Sequence, residues 1–283
     1  MLASVVTVLA LAAGTAAGVS GPQGEEGLDP KYGLPFFDIK LGQQDIPTQA
    51  SLAAVANWKK TPAYQAKLDD EAALRATVRE IRIDEHWALG SAQYVRSTAS
   101  FLTGPSKAAP RDVVRGWFAA HQGLMELDLA ELDSFPLTRE FDTHDGLMHH
   151  FTWQQRINGL ALYGANLKAS VTGRGELMNV GSTMIPTKGL SIPAPVLSDL
   201  DAVRAAAANV GITLTADPAP GPATGAEEKR TWAASKGFGN QDPIESRRVY
   251  FARNRGEVVP AWYVVIPAPG PGNTYEMVVD AGS

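Results

Sequence analysis

"HHFTWQQRINGLALYGANLKASVTGRGEL", residues 149–177, is the stretch whose reading decides the fold. Phe151, Trp153 and Ile157 alternate with polar residues, the two-residue period of a half-buried strand. Asn158-Gly159 follows, the strongest short hairpin signal, because a type I′ turn needs positive φ at both central positions. Leu160–Leu162 begin the return strand and Gly164 marks a bulge or bend. Ala165, Leu167, Ala169 and Val171 then alternate with Asn166, Lys168, Ser170 and Thr172. A second turn at 173–176 and a strand over 177–185 complete an expected three-stranded antiparallel meander.

Working outward, Asp145-Gly146 marks the turn before the meander. Upstream, "AAPRDVVRGWFAAHQGLMEL" (108–127) reads as the clearest helix of the chain. Pro110 suits its first turn. Val113, Val114, Trp117, Phe118 and His121 recur at three- and four-residue spacings and form one apolar stripe. Gly123 reads as its stop. A second helix is expected over 62–78, with a thin stripe of Tyr64, Leu68 and Leu74. A strand containing Ile81, Ile83 and Trp87 follows it. A helix laid across a meander is a compact α+β unit.

The same order recurs downstream. Residues 187–197 form a proline-rich linker. Ser198 or Asp199 caps a helix over 200–210, and Gly211 ends it. A long Pro/Gly loop occupies 216–243. Strands are expected at 248–252, 258–266 and 275–280, with turns at Asn254-Arg255-Gly256 and Pro269-Gly270-Pro271-Gly272. At the other end, 21–61 reads as an extended arm, with a possible short strand at Phe36-Phe37-Asp38-Ile39. The apolar run from Leu2 to Ala13, followed by Thr15-Ala16-Ala17, makes 1–20 an expected signal peptide, although no Lys or Arg precedes the run. It is too short for a stable membrane span.

Composition narrows the classes of function. The chain has 283 residues, 45% hydrophobic and 19% charged, so it can bury a core. A net charge of −5 argues against a nucleic-acid partner. There is no cysteine, which excludes disulfides and thiolate zinc sites. His149 and His150 are adjacent on an expected strand, so they point to opposite faces and cannot share a metal without distortion. His121 lies on the apolar stripe of its helix, where a boundary histidine is the simpler reading. Asp69-Asp70-Glu71 reads as a solvated acidic face. Glu85-His86 has no second His at helical spacing, and His-Glu-x-x-His occurs nowhere in the chain. There is no Gly-x-Ser-x-Gly elbow and no Gly-x-x-x-x-Gly-Lys-Ser/Thr loop. Arg247-Arg248 beside Tyr250-Phe251 could form a small basic-aromatic surface. No catalytic residue, metal ligand or cofactor site is expected.

The letters of the meander carry a resemblance. Phe151, Trp153, Gln154 or Gln155, Asn158-Gly159, Tyr163-Gly164-Ala165, Leu167–Val171, Gly175 and Val180-Gly181 follow in order the pattern of the FTP module of fungalysin and thermolysin propeptides. The region 62–186 thus resembles an FTP domain. The region 198–283, with Trp262 in "AWYVVI" and Asp280 in "VVDA", resembles a PepSY-type domain at the end of fungalysin-type pro-regions. The resemblance implies two cystatin-like units and secretion. It also implies a role as folding chaperone and inhibitor of a cognate zinc metallopeptidase catalytic domain, whose zinc helix would lie beyond Asp280. The chain itself is then expected not to be an enzyme. Two other readings stand beside this one: the N-terminal fragment of a complete metallopeptidase precursor, and a stand-alone extracytoplasmic binding module.

Overall fold

A computed structural model describes residues 4–9, 49–86, 88–143, 145–233, 242–267 and 274–282. In chain order the strand Ser4–Leu9 (β1) comes first. Helices Gln49–Trp58 (α1) and Pro62–Thr77 (α2) precede strands Ile81–Glu85 (β2) and Ala92–Ser97 (β3). Helices Pro110–Ala120 (α3), Gln122–Met125 (α4) and Leu129–Ser134 (α5) lead into strands Leu137–Thr143 (β4), Met148–Ile157 (β5), Leu160–Thr172 (β6) and Leu177–Ser182 (β7). Helix Asp199–Asn209 (α6) precedes strands Arg230–Trp232 (β8), Ile244–Asn254 (β9), Glu257–Pro267 (β10) and Thr274–Asp280 (β11). The expected strand at Phe36–Ile39, Trp87 and the turn at 269–272 lie outside the described residues.

The fold class is α+β, in two compact units. One, the central unit, comprises Pro47–Leu190 with the hairpin tip Ala252–Glu257. Its strands pair in the order β4-β5-β6-β7-β3-β2, every pair antiparallel. The expected meander is therefore the middle of a wider sheet. The strand expected at Ile81 and Ile83 is β2, whereas β4 was not expected: its sequence, LTREFDT, is charged on both faces and shows little apolar alternation. Helix α3 packs on β6, and its stripe of Val113, Val114, Trp117 and Phe118 is buried in one cluster with Phe151, Trp153, Leu167 and Val171.

Three expectations for this unit need correction. The end of the supposed arm is helical: QASLAAVANW (α1) is Ala-rich and free of Gly and Pro, and the composition of the surrounding Pro/Gly-rich stretch hid it. Gly123 does not stop the helix, which ends at His121. A Cβ at Gly123 would lie 2.7 Å from the Ala66 carbonyl oxygen, so this glycine permits α4 to approach α2 closely. Asp69-Asp70-Glu71 is not a uniformly solvated face. The Asp70 side chain is only 13% exposed and accepts from the Leu124 N–H at 3.0 Å.

The C-terminal unit contains α6 and β8–β11. The strand order is β8-β9-β10-β11, with β1 beside β11. Ser198 caps α6 by accepting from the Asp201 N–H, and Gly211 at φ +75° follows the helix end. Ala202, Val203, Ala206 and Ala207 pack against Trp262, Val264, Ile266, Met277 and Val279. The supposed loop 216–243 contains β8. Its Trp232 is buried, and the indole N–H donates to Ser246 Oγ at 2.8 Å, an anchor that the flanking Pro/Gly composition concealed. Ser4–Leu9, part of the apolar run read as a leader, runs parallel to β11. Among the described residues no helix is long and apolar enough to cross a membrane.

Candidate functional site

The residues singled out in 149–177 converge on one place, the bulged middle of the β5–β6 hairpin. Asn158 and Gly159 sit at φ +48° and +84°, the pair of positive values the type I′ turn requires. The register then jumps from Gln154 opposite Asn166 to Arg156 opposite Ala161. Residues 162–165 of β6 thus face the single residue Gln155, and Gly164 at φ +72° carries the bend. Tyr163 lies in this bend, partly exposed.

A bulge leaves backbone groups without ladder partners, and buried ones must be paired elsewhere. Gln154 does this for the bulge, and the adjacent Gln155 does the same for Ile185, beyond the end of β7. Gln154 Nε2 donates to the carbonyls of Leu162 (2.8 Å) and Ala165 (2.9 Å). Gln155, fully buried, reaches across to Ile185. Its Nε2 donates to the Ile185 carbonyl at 2.7 Å and its Oε1 accepts from the Ile185 N–H at 3.0 Å. Thr183 completes the network: its hydroxyl donates to the Gly164 carbonyl at 2.5 Å and accepts from the Asn166 N–H at 3.0 Å. The sequence left open which glutamine belongs to the pattern; both have a defined job.

The histidines are engaged locally. His149 Nδ1 lies 2.7 Å from Asp142 Oδ1 on the neighbouring strand. Both ring nitrogens of His150 face hydroxyls, Thr143 at 3.1 Å and Ser170 at 3.0 Å, and the ring stacks on Phe141. With both nitrogens in hydrogen bonds, His150 has no lone pair directed at a metal. His121 Nδ1 lies 2.6 Å from Asp70 Oδ1, and its ring packs on Trp117. Among the described residues no group of three or more His, Cys, Asp or Glu is placed to hold a metal ion. Glu85 pairs with the buried Lys67 at 2.5 Å. A depression of about 440 Å³ beside α6 contains Arg204. Asp201 and Asp217 already engage that guanidinium at 2.8 and 2.7 Å.

In the C-terminal unit, Trp262 Nε1–H donates to the Leu197 carbonyl at 2.9 Å. This pins the chain ahead of α6 to the sheet. Asp280, buried at the end of β11, accepts from the Gly282 N–H at 2.7 Å. The Ala281 carbonyl accepts from the Val196 N–H at 2.6 Å. Arg247 stacks over the Tyr263 ring at 4.7 Å, and Arg248 pairs with Glu228 at 2.6 Å.

One cluster was not legible in the sequence. Arg255, in the β9–β10 turn, is 7% exposed and lies 3.5 Å from the Trp58 ring centroid. It donates to the Leu89 carbonyl at 2.7 Å and pairs with Glu126. Burial pulls its pKa down to about 10, which leaves it protonated at neutral pH. An Asn-Arg-Gly turn looks solvated in sequence. The one unusual local feature at the partner is Glu126 at φ +57°, a left-handed conformation that letters do not reveal.

No known protein-family profile matches the chain, and no curated protein matches it in sequence. Among solved structures it is similar to the Bacillus megaterium YpeB C-terminal domain, at 10% identity and a TM-score of 0.28. The match covers 78% of this chain and 96% of that one.

Proposed function

We propose that this chain is the secreted pro-region of a fungalysin-type zinc metallopeptidase, built of two cystatin-like units. In this reading it acts as folding chaperone and inhibitor of the peptidase and has no catalytic role of its own. The observation that carries the reading is the bulge network. The ordered letters of the FTP pattern fall on one bulged hairpin: Phe151 and Trp153 are buried in the core, Gln154 and Gln155 make the side-chain hydrogen bonds, Asn158-Gly159 make the turn and Gly164 makes the bend. Their order then follows from a single structural requirement, which a chance match of scattered letters would not explain.

The physical logic is mass action. A pro-region that binds the folded peptidase and not the unfolded one stabilises it, by about 2.7 kcal/mol at a hundredfold excess over Kd. Sheet edges and loops that occupy the peptidase cleft would inhibit it through the same contacts. The test is a purified chain assayed alone and with a fungalysin-type peptidase. The expected result is no casein cleavage by the chain with zinc added, slowed cleavage by the peptidase, and a higher refolding yield of the peptidase. Zinc-dependent cleavage by the chain alone would overturn the reading.

A further inference from the structure

Sheet edges in this protein are treated in two different ways. In the central unit, edge strand β2 (IRIDE) carries Arg82, Asp84 and Glu85, and its register shifts at Asp84/Glu85. Edge strand β4 (LTREFDT) carries Arg139, Glu140 and Asp142 and shifts at Leu137/Arg139. Charges and bulges of this kind discourage another strand from adding to an edge. In the C-terminal unit, β8 is only three residues long. Strand β11, TYEMVVD, has none of these devices along Thr274–Val279 apart from Glu276, and its register with β10 is unbroken. Tyr275, Met277 and Val279 face the core, while Val278 is buried on the opposite face.

That unguarded edge is covered. Ser4–Leu9, SVVTVL, lies along it in parallel register from Ser4 opposite Thr274 to Leu9 opposite Val279. The covering segment is uncharged, and Val5, Val6, Thr7 and Val8 are β-branched, the residue types best suited to a pleated surface. It also belongs to the run read as a cleaved leader. Without it, alternate residues of β11 would present about three N–H and three C=O groups to solvent beside an apolar strand.

We infer that the outer edge of β11 is a strand-acceptor site, covered in cis by Ser4–Leu9. After loss of that segment it takes an extended, uncharged, β-branched strand of the peptidase partner, parallel to β11. The naming of the partner rests on the pro-region reading above; the acceptor edge itself rests on the register and chemistry of the segment seated there. Main-chain hydrogen bonds supply the affinity in this mode, and alternate side chains supply the selectivity.

The test uses the full chain carrying Val6→Pro and Val8→Pro, which removes the covering strand without truncation. The probe is a fluorescent synthetic peptide of sequence SVVTVL with a solubilising tag. Saturable binding to this variant is expected, at least tenfold tighter than to the unaltered chain, with restored hydrogen-exchange protection at Tyr275–Val279. A peptide with prolines at its third and fifth positions is expected not to bind. Equal binding to both chains, binding of the proline peptide, or no binding to a variant of unchanged circular dichroism would overturn the inference. The absence of cysteine allows a second measurement that does not depend on the prolines. A Val8→Cys/Val278→Cys pair, opposite one another in the register, is expected to cross-link within one chain under mild oxidation. Cross-linking only between two chains, or none, would overturn the cis seating. No peptidase is present in either experiment, so failure of peptide binding removes the acceptor edge alone. Failure of peptidase inhibition with peptide binding intact removes the pro-region reading alone.

Discussion

Replacing Gln155 by leucine is the sharpest probe of the bulge network. Leucine fills nearly the same space, so the change removes two hydrogen bonds with little cavity. The Ile185 N–H and C=O, now at 3.0 and 2.7 Å from the amide, are left without partners beside a side chain that is 1% exposed. Each unpaired buried group costs about 1–3 kcal/mol, and the added apolar burial returns roughly 1 kcal/mol. The net expectation is a loss of about 2–4 kcal/mol. For a unit of about 150 residues this lowers Tm by roughly 5–15 °C. Thermal and urea unfolding measure it, with hydrogen exchange at the Ile185 amide as the local reporter. A Tm within a degree or two of the parent, with that amide still protected, would refute the assignment of Gln155 as its partner. Gln155→Glu adds a sign test. Burial raises the folded-state pKa of the new carboxyl above its unfolded value. The protonated acid keeps both a donor and an acceptor, so its contribution is fully present below the unfolded pKa. It is lost as pH rises through the folded one. Stability relative to wild type should therefore recover on acidification.

Arg255→Met strands the buried Glu126 carboxylate, whose side chain is 4% exposed; a loss of about 3–5 kcal/mol in urea unfolding is expected, and adding Glu126→Gln should return part of it. Gly123→Ala pushes a methyl to 2.7 Å from the Ala66 carbonyl oxygen, which should cost about 1–3 kcal/mol, whereas Gly116→Ala, with open space around it, should be neutral or slightly stabilising in the same assay. Gly159→Ala meets no atom within 4 Å but keeps φ at +84°, so a purely conformational cost of about 1–2 kcal/mol is expected. The Lys188 ammonium, with the Glu131 N–H, holds the Asp128 carboxyl below its ordinary pKa. Its contribution is present above the unfolded value and lost as pH falls through the folded one, so Lys188→Met should flatten the acid limb of a stability-versus-pH profile. An unchanged limb would remove that pair from the account.

The separations between partners explain what could be read from letters. Asn158-Gly159, Asp145-Gly146 and Gly211 announced themselves because positive φ is a local requirement that few residues meet. The α3 stripe and the alternation of β5 and β6 were legible because burial of one face imposes a period on neighbouring residues. That His149 and His150 face opposite ways followed from strand geometry alone. These features depend on the chain within a turn or two of itself.

The remaining features depend on which distant segments meet. Gln155 finds Ile185 thirty residues away and His121 finds Asp70 fifty-one residues away. Residues as far apart as Arg255 and Glu126 carry no shared period. Strand β3 pairs with β7 across three helices and three strands, and the charged edge strand β4 shows no alternation because both of its faces are largely exposed. Propensity and periodicity record how a residue sits on its own element. Pairing across the sheet, the satisfaction of a bulge's carbonyls and the choice of which edge stays unguarded are settled when the elements pack, because only then does a buried polar group acquire the one partner that makes its burial tolerable.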